Sequence, residues 1–231
     1  MYIQVFIMQN IIDLLQRKQL IWPGSEQKSS IKVQASCFNE WDQHLEGFPK
    51  TGLMEIQSEA GIGELRLITP MLKTVAQKRT VVLINPPASP CAHYFEKEGI
   101  PTSNILVIQD TKHNLWAAEQ CLKSGSCACV CLWHPQLEIH QARRLQVAAE
   151  KGRALNIHFN LDLHNECSLP IPLSVNLNAT ENGVKVSVNK RRGGWHQQTF
   201  TVDLSQRWPQ LCTEKPQHQV IPFPTRKRQQ A

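Results

Sequence analysis

From residue 53 onward, short unbroken apolar runs alternate with stretches in which apolar residues recur every three or four positions. Leu53 to Gln57 is the first run, a strand. After the turn SEAGIG, the positions Ile68, Met71, Leu72, Val75 and Ala76 form one helical stripe, with Pro70 expected to kink the helix or loosen its first turns. TVVLIN (80–85) is the next strand, followed by a Pro-rich turn and a short helix over 93–98. NILVIQ (104–109) follows, with Asp110 as N-cap of a helix that uses Leu115, Ala118 and Leu122 and stops at Gly125. ACVCLW (128–133) leads to a helix with Ala142, Leu145 and Ala149 on one side and Gly152 at its end, and ALNIHF (154–159) closes the series. Five short strands separated by helices can pair only in parallel, with helices over both faces of the sheet. The expected fold is therefore a three-layer α/β sandwich.

Beyond Ser168 the period changes to two, in LSVNLNA, VKVSV and TFTVDL, and the turn Glu181-Asn182-Gly183 joins the first two of these as a hairpin. An antiparallel extension thus ends the fold. The domain reading is an N-terminal helix and linker over 1–36, a core over 37–211 with its hairpin extension from about 168, and a basic, disordered tail over 212–231. The opening MYIQVFIMQNIIDLLQ is apolar, but it has no basic leader and Asp13 interrupts it before membrane-spanning length, so it reads as an amphipathic helix on a cytoplasmic protein with no membrane contact.

The turn after the first strand stands where an α/β nucleotide-binding protein keeps G-x-x-x-x-G-K-[ST], whose amides, lysine and hydroxyl hold phosphates and magnesium. Here the positions read Ser58, Glu59, Ala60, Gly61, Ile62, Gly63, Glu64 and Leu65. The second glycine is kept, the lysine is replaced by Glu64 and the hydroxyl by Leu65. A carboxylate repels polyphosphate, and the later strands end in Asn85-Pro86-Pro87 and Trp133-His134-Pro135, with no carboxylate to organise a metal. A degenerate phosphate loop, no catalytic residue and no cofactor are expected, with a weak ATPase as the enzymatic alternative.

Charge matters through its placement. After Val184 nine Lys or Arg stand against Asp203 and Glu214, a net of +7, while the preceding residues sum to −1. Lys190, Arg191, Arg192 and Trp195 form a patch able to bind phosphates and stack a base, or else a charged hairpin end. Arg143 and Arg144 on a helix, and Arg226, Lys227 and Arg228 in the tail, are further candidates for DNA or partner binding. Trp208-Pro209-Gln210-Leu211 and Ile221-Pro222-Phe223-Pro224 read either as docking motifs or as a segment laid over the domain. Trp116 and Trp133 read as core or partly exposed packing residues. Cys127, Cys129 and Cys131 alternate and should share one strand face, and the other five cysteines are scattered, so small buried hydrophobes are expected rather than a metal site. The nine histidines likewise lack zinc spacing.

The run MEIQSEAGIGELRL resembles the phosphate-loop region of bacterial RecA proteins. Closer still, IWPG (21–24), FPKTGLMEI (48–56), AGIGELRLITPML (60–72), LWAAEQCLKSG (115–125), ARRLQVAAEKGRAL (142–155) and NKRRGG (189–194) resemble, in the same order, the ImuA family of RecA-like proteins associated with translesion DNA synthesis. From ITPML through AAEKGRALNIHF the chain also looks like the SulA cell-division inhibitors. The first resemblance implies a RecA-like sandwich without catalysis, an accessory of SOS mutagenesis and DNA repair that binds a Y-family polymerase-like subunit, with RecA and DNA as further partners. The second implies a division inhibitor that binds FtsZ. The first 20 residues and the tail after about Leu211 match neither family.

Overall fold

The computed structural model describes residues 32–162, 169–192 and 198–209. The expected N-terminal helix, the linker up to residue 31 and the tail over 212–231 lie outside the described residues. The last residues of the expected linker are a strand: β1 (Val33–Gln34) pairs antiparallel with β2 (Phe48–Pro49), and α1 (Asn39–Leu45) lies between them.

The predicted alternation is present as β3 (Gly52–Gln57), α2 (Glu64–Ala76), β4 (Thr80–Ile84), α3 (Ala92–Lys97), β5 (Ile105–Ile108), α4 (Asn114–Lys123), β6 (Cys127–Trp133), α5 (Ile139–Gly152) and β7 (Leu155–Asn160). β8 (Leu173–Ala179), β9 (Gly183–Arg191) and β10 (Thr199–Asp203) complete one eight-stranded sheet of order β10-β9-β8-β3-β7-β6-β4-β5. The five expected strands are parallel neighbours. The extension does not form a separate unit, because β8 lies parallel beside β3 and only β9 and β10 run antiparallel.

Each face of the sheet has its own core. Trp41 of α1, Leu67, Ile68, Met71 and Leu72 of α2 and Phe95 of α3 pack on Met54, Ile56, Leu83, Ile157 and Phe159. Ala118 and Leu122 of α4, with Ala142, Leu145 and Ala149 of α5, pack on Leu53, Val82, Val130 and Leu132. These are the three layers. Among the described residues no helix is long and apolar enough to cross a membrane.

Several local expectations change. α2 is continuous through Pro70 and starts four residues before its apolar stripe, with Leu67 N–H bonded to the Gly63 carbonyl at 3.0 Å. The first turn holds because Glu64 ties it to the loop before it, as described below. Asp110 does not cap α4, whose N-cap is His113. Its carboxylate instead accepts the N–H groups of Lys112 and His113 at 2.8 and 3.0 Å and closes the preceding turn. β5 is not covered on both faces: it is the sheet edge, with Leu106 and Val107 46% and 41% exposed.

The three alternating cysteines do not share a face. The ladder between β4 and β6 slips at Ala128, pairing Thr80 with Cys127 and Val81 with Cys129. One extra residue reverses the alternation, so Cys127 joins the α4/α5 core while Cys129 and Cys131 face the other. Of the scattered cysteines, Cys37 and Cys91 are exposed rather than buried and Cys121 is half-buried. Trp133 is core, whereas Trp116 is 62% exposed. Trp208 is no docking anchor: it is buried, and its indole N–H donates to Glu98 at 2.7 Å.

Helices α4 and α5 come close at Gly152, where an added Cβ would lie 1.7 Å from the Leu122 carbonyl oxygen. Gly152→Ala must therefore push α5 off the end of α4. A loss of about 1–3 kcal/mol is expected, as for overpacked cores, and is read from the urea unfolding midpoint.

Candidate functional site

The loop between β3 and α2 sits at the carboxyl end of the parallel strands, the end at which open α/β sheets bind ligands. Ser58 N–H donates to the Asn160 carbonyl at 3.1 Å, fastening the start of the loop to β7. Gly61 and Gly63 have φ of 85° and 109°, and these left-handed steps turn their N–H groups toward one point. In a phosphate-binding protein an anion would occupy that point. Here the Glu64 carboxylate occupies it, accepting Gly61 N–H at 3.0 and 3.1 Å and Gly63 N–H at 3.1 Å. Glu64 is the first residue of α2, is 5% exposed, and its negative charge lies at the positive end of the helix. The sequence predicted repulsion of phosphate from this position. The geometry adds that the amides are already taken by an internal anion. Leu65 packs against the core, Ile62 is half-buried, and Glu59 and Ala60 are exposed.

Beside the loop is a crevice of about 280 Å³ between α2, the Pro86–Cys91 turn and the end of β6. Leu65, Leu83, Pro87, Tyr94 and Trp133 give it apolar walls. The Tyr94 hydroxyl is 2.9 Å from Thr69 Oγ1, and burial pushes its pKa up.

A second polar cluster lies inside the sheet and was missed in the sequence. Glu55 of β3, 7% exposed, accepts from Ser174 Oγ of β8 at 2.8 Å and from Asn160 Nδ2 of β7 at 3.4 Å. Its Oε1 is 3.5 Å from Nδ1 of the fully buried His158. Nε2 of His158 lies 2.9 Å from the His134 carbonyl, which can only accept, so Nε2 carries a proton. Burial alone would raise the Glu55 pKa, but contacts to His158, Ser174 and Asn160 outweigh it and hold the group below the ordinary glutamate range. The signal in the sequence was Asn156, His158 and Asn160, polar at every second position of an otherwise apolar strand.

The structure does not gather the predicted basic residues. Lys190 and Arg191 end β9, level with the start of β8 and so toward the opposite end of the sheet from the loop. Lys190 donates to the Leu169 carbonyl, and Arg191 donates to the His44 carbonyl at 2.8 Å and pairs with Glu46 at 3.2 Å. Two of these three cations thus fasten the hairpin to the domain, and Arg192 remains exposed. Arg143 and Arg144 are exposed on α5, where Arg144 pairs with Glu119 of α4. Trp195, Arg226, Lys227 and Arg228 lie outside the described residues.

No family model matches the chain. In sequence it is 26% identical over 117 residues to the cell division inhibitor SulA of Edwardsiella piscicida, a match covering 47% of this chain and 68% of that protein. The crystal structure of SulA from Pseudomonas aeruginosa aligns at a TM-score of 0.41 and 25% identity, covering 48% of this chain and 98% of that one. The chain is thus related in sequence to SulA over about half of its length.

Two predictions follow from these clusters. Glu64→Ala removes the acceptor of the Gly61 and Gly63 amides and should cost about 1–3 kcal/mol, as for donors left unsatisfied. In a thermal-shift titration, sulfate should then stabilise the variant and leave the parent unchanged, while Mg-ATP binds neither tightly. Because folded Glu55 ionises more readily than ordinary glutamate, its contribution to stability is complete above about pH 4.3, the unfolded value. It is lost as the pH falls through the lower folded value. Glu55→Gln replaces an acceptor oxygen of the buried Ser174 and Asn160 donors by an amide N–H and should cost about 1–3 kcal/mol at neutral pH, as for a buried donor left unsatisfied. It should also flatten the fall in stability expected for the parent below about pH 4.3, read from urea unfolding at a series of pH values.

Proposed function

We propose that this chain is a binding protein with no chemical step of its own, made in response to DNA damage, that halts cell division by holding FtsZ. The sequence relationship to a SulA division inhibitor carries this reading. The loop geometry supports a reading without chemistry: with Glu64 filling the anion position and Leu65 packed beside the core, the glycine turn serves as scaffold. We read the sandwich as RecA-like in descent, with helices on both faces of the sheet and a glycine turn leading from its first long parallel strand into a helix.

A second reading is an accessory of translesion synthesis that binds a polymerase-like subunit, with RecA and DNA as further contacts. The observation favouring it is that the SulA match leaves about half of the chain unaccounted for. The fold meanwhile continues through β8, β9 and β10 in the same sheet; the ImuA-like segment FPKTGLMEI lies on β2–β3, and Asn189, Lys190 and Arg191 of NKRRGG end β9.

The two readings separate on partners. Purified full-length chain should bind FtsZ and suppress its GTP-dependent sedimentation, and its induced expression should produce filamentous cells. Intact FtsZ polymerisation together with co-purification of a polymerase-like subunit would overturn the first reading in favour of the second. Steady ATP hydrolysis by the unaltered protein would overturn both.

A further inference from the structure

The outer surface of α4 and α5 carries apolar side chains that nothing among the described residues covers. Ile139 and Val147 of α5 and Trp116 of α4 are all exposed, Val147 to 62%. Ile139, Arg143 and Val147 follow one another at four-residue steps, so they form a stripe on the side of α5 away from the buried Ala142, Leu145 and Ala149. The ion pair between Arg144 and Glu119 draws this stripe beside α4. Val147 stands about one turn after Arg144, and Trp116 about one turn before Glu119. Isolated surface hydrophobes need no explanation, but large ones grouped on two adjoining helices mark a contact surface.

The chain before Lys32 leaves the domain next to this surface. β1 runs antiparallel to β2, so followed backward from Gln34 it passes Phe48 and Pro49 and reaches Lys50, whose N–H donates to the Lys32 carbonyl at 2.8 Å. That is the direction in which β2 leads to Gly52 and the start of β3. Leu53 N–H in turn donates to Gln146 Oε1 of α5 at 2.6 Å, and Gln146 directly precedes Val147. Lys50 and Leu53 are joined by three peptide units, at most about 11 Å. Two hydrogen bonds and one short stretch of backbone thus connect Lys32 to the apolar stripe.

The sequence upstream supplies what this surface lacks. In residues 1–20, Ile3, Ile7, Ile11, Leu14 and Leu15 recur in the pattern of one helical face, against Gln9, Asp13, Gln16 and Arg17 on the other. Such a pattern is stable in water only with its apolar side covered by tertiary contacts. The stretch 21–31 that joins it to Lys32 spans up to about 36 Å when extended, which exceeds the length of α5, about 21 Å. We propose that the outer face of α4 and α5 is the docking surface for residues 1–20 of the same chain, whose apolar side packs over Ile139, Val147 and Trp116. In the isolated protein this segment closes the face, and another protein reaches it only by displacing the segment. The inference is independent of the division-inhibitor reading and is tested without any partner.

The full-length chain is made with the photo-crosslinker p-benzoylphenylalanine in place of Val147, irradiated in dilute solution, digested with trypsin and mapped by mass spectrometry. Cleavage after Arg144 and Lys151 leaves the probe in peptide 145–151, and cleavage after Arg17 releases peptide 1–17. The expected product joins these two peptides within one chain, so a mixture of heavy-nitrogen and unlabelled protein yields no mixed species. Ile7→Glu combined with Ile11→Glu should abolish the product while near-ultraviolet circular dichroism shows the domain still folded. The same probe in place of Trp116, carried by peptide 113–123, should also reach peptide 1–17 and stands in where the first replacement disturbs α5. A probe in place of Thr201, exposed on the edge strand β10, should not. Products of mixed label would assign the face to a second copy and overturn the proposal. So would a product that survives the Ile7→Glu and Ile11→Glu pair, or probes at both helix positions that reach no residue before 21.

Discussion

The buried carboxylate of Glu55 holds the middle of the sheet together. It lies on β3, which has parallel neighbours on both sides, and takes contacts from His158 and Asn160 on one neighbour and Ser174 on the other. A charge in that position is tolerable only if each of its oxygens is satisfied, so the register of three strands is specified by one side chain. The strand that begins the C-terminal extension is thereby fixed to the strand that precedes the glycine loop. For this reason the extension continues the main sheet and does not hang from it as a separate hairpin.

The same strand delivers the loop to its position. Once β3 and β7 are fastened, through the ladder and through Ser58 to Asn160, the chain must turn sharply to reach α2, and Gly61 and Gly63 supply the two left-handed steps. Such a turn creates converging amides whether or not a ligand is present, and converging amides need an acceptor. Glu64 supplies one from within the chain. One residue at the head of α2 thus both fills the point where the amides converge and stabilises the turn.

Most of the architecture was readable because apolar runs and helical stripes obey simple periods, and the five parallel strands appear where those runs fall. What failed had local physical causes. The one-residue slip at Ala128 is invisible in a pattern of alternating cysteines, because alternation presumes an unbroken ladder. β5 reads as buried from Ile-Leu-Val-Ile, yet strand order alone decides which run becomes an edge. In the site, an acidic residue directly after the second glycine could be read from the sequence, but the inward turn of Glu64 could not, since it depends on the φ angles of two glycines. The Lys190-Arg191-Arg192 patch looked like a single surface, but two of its members are spent on fastening the hairpin to the domain.

The uncovered strand at the sheet edge has a bearing on solubility. β5 turns one side of its backbone to solvent between two exposed apolar side chains, Leu106 and Val107. Such a rim is sticky toward any extended peptide, including a partly unfolded copy of the same chain. Its four residues limit how long a foreign strand can be held there. Pairing along such an edge grows with concentration, so self-association of the folded chain would start at this margin and not at the glycine turn.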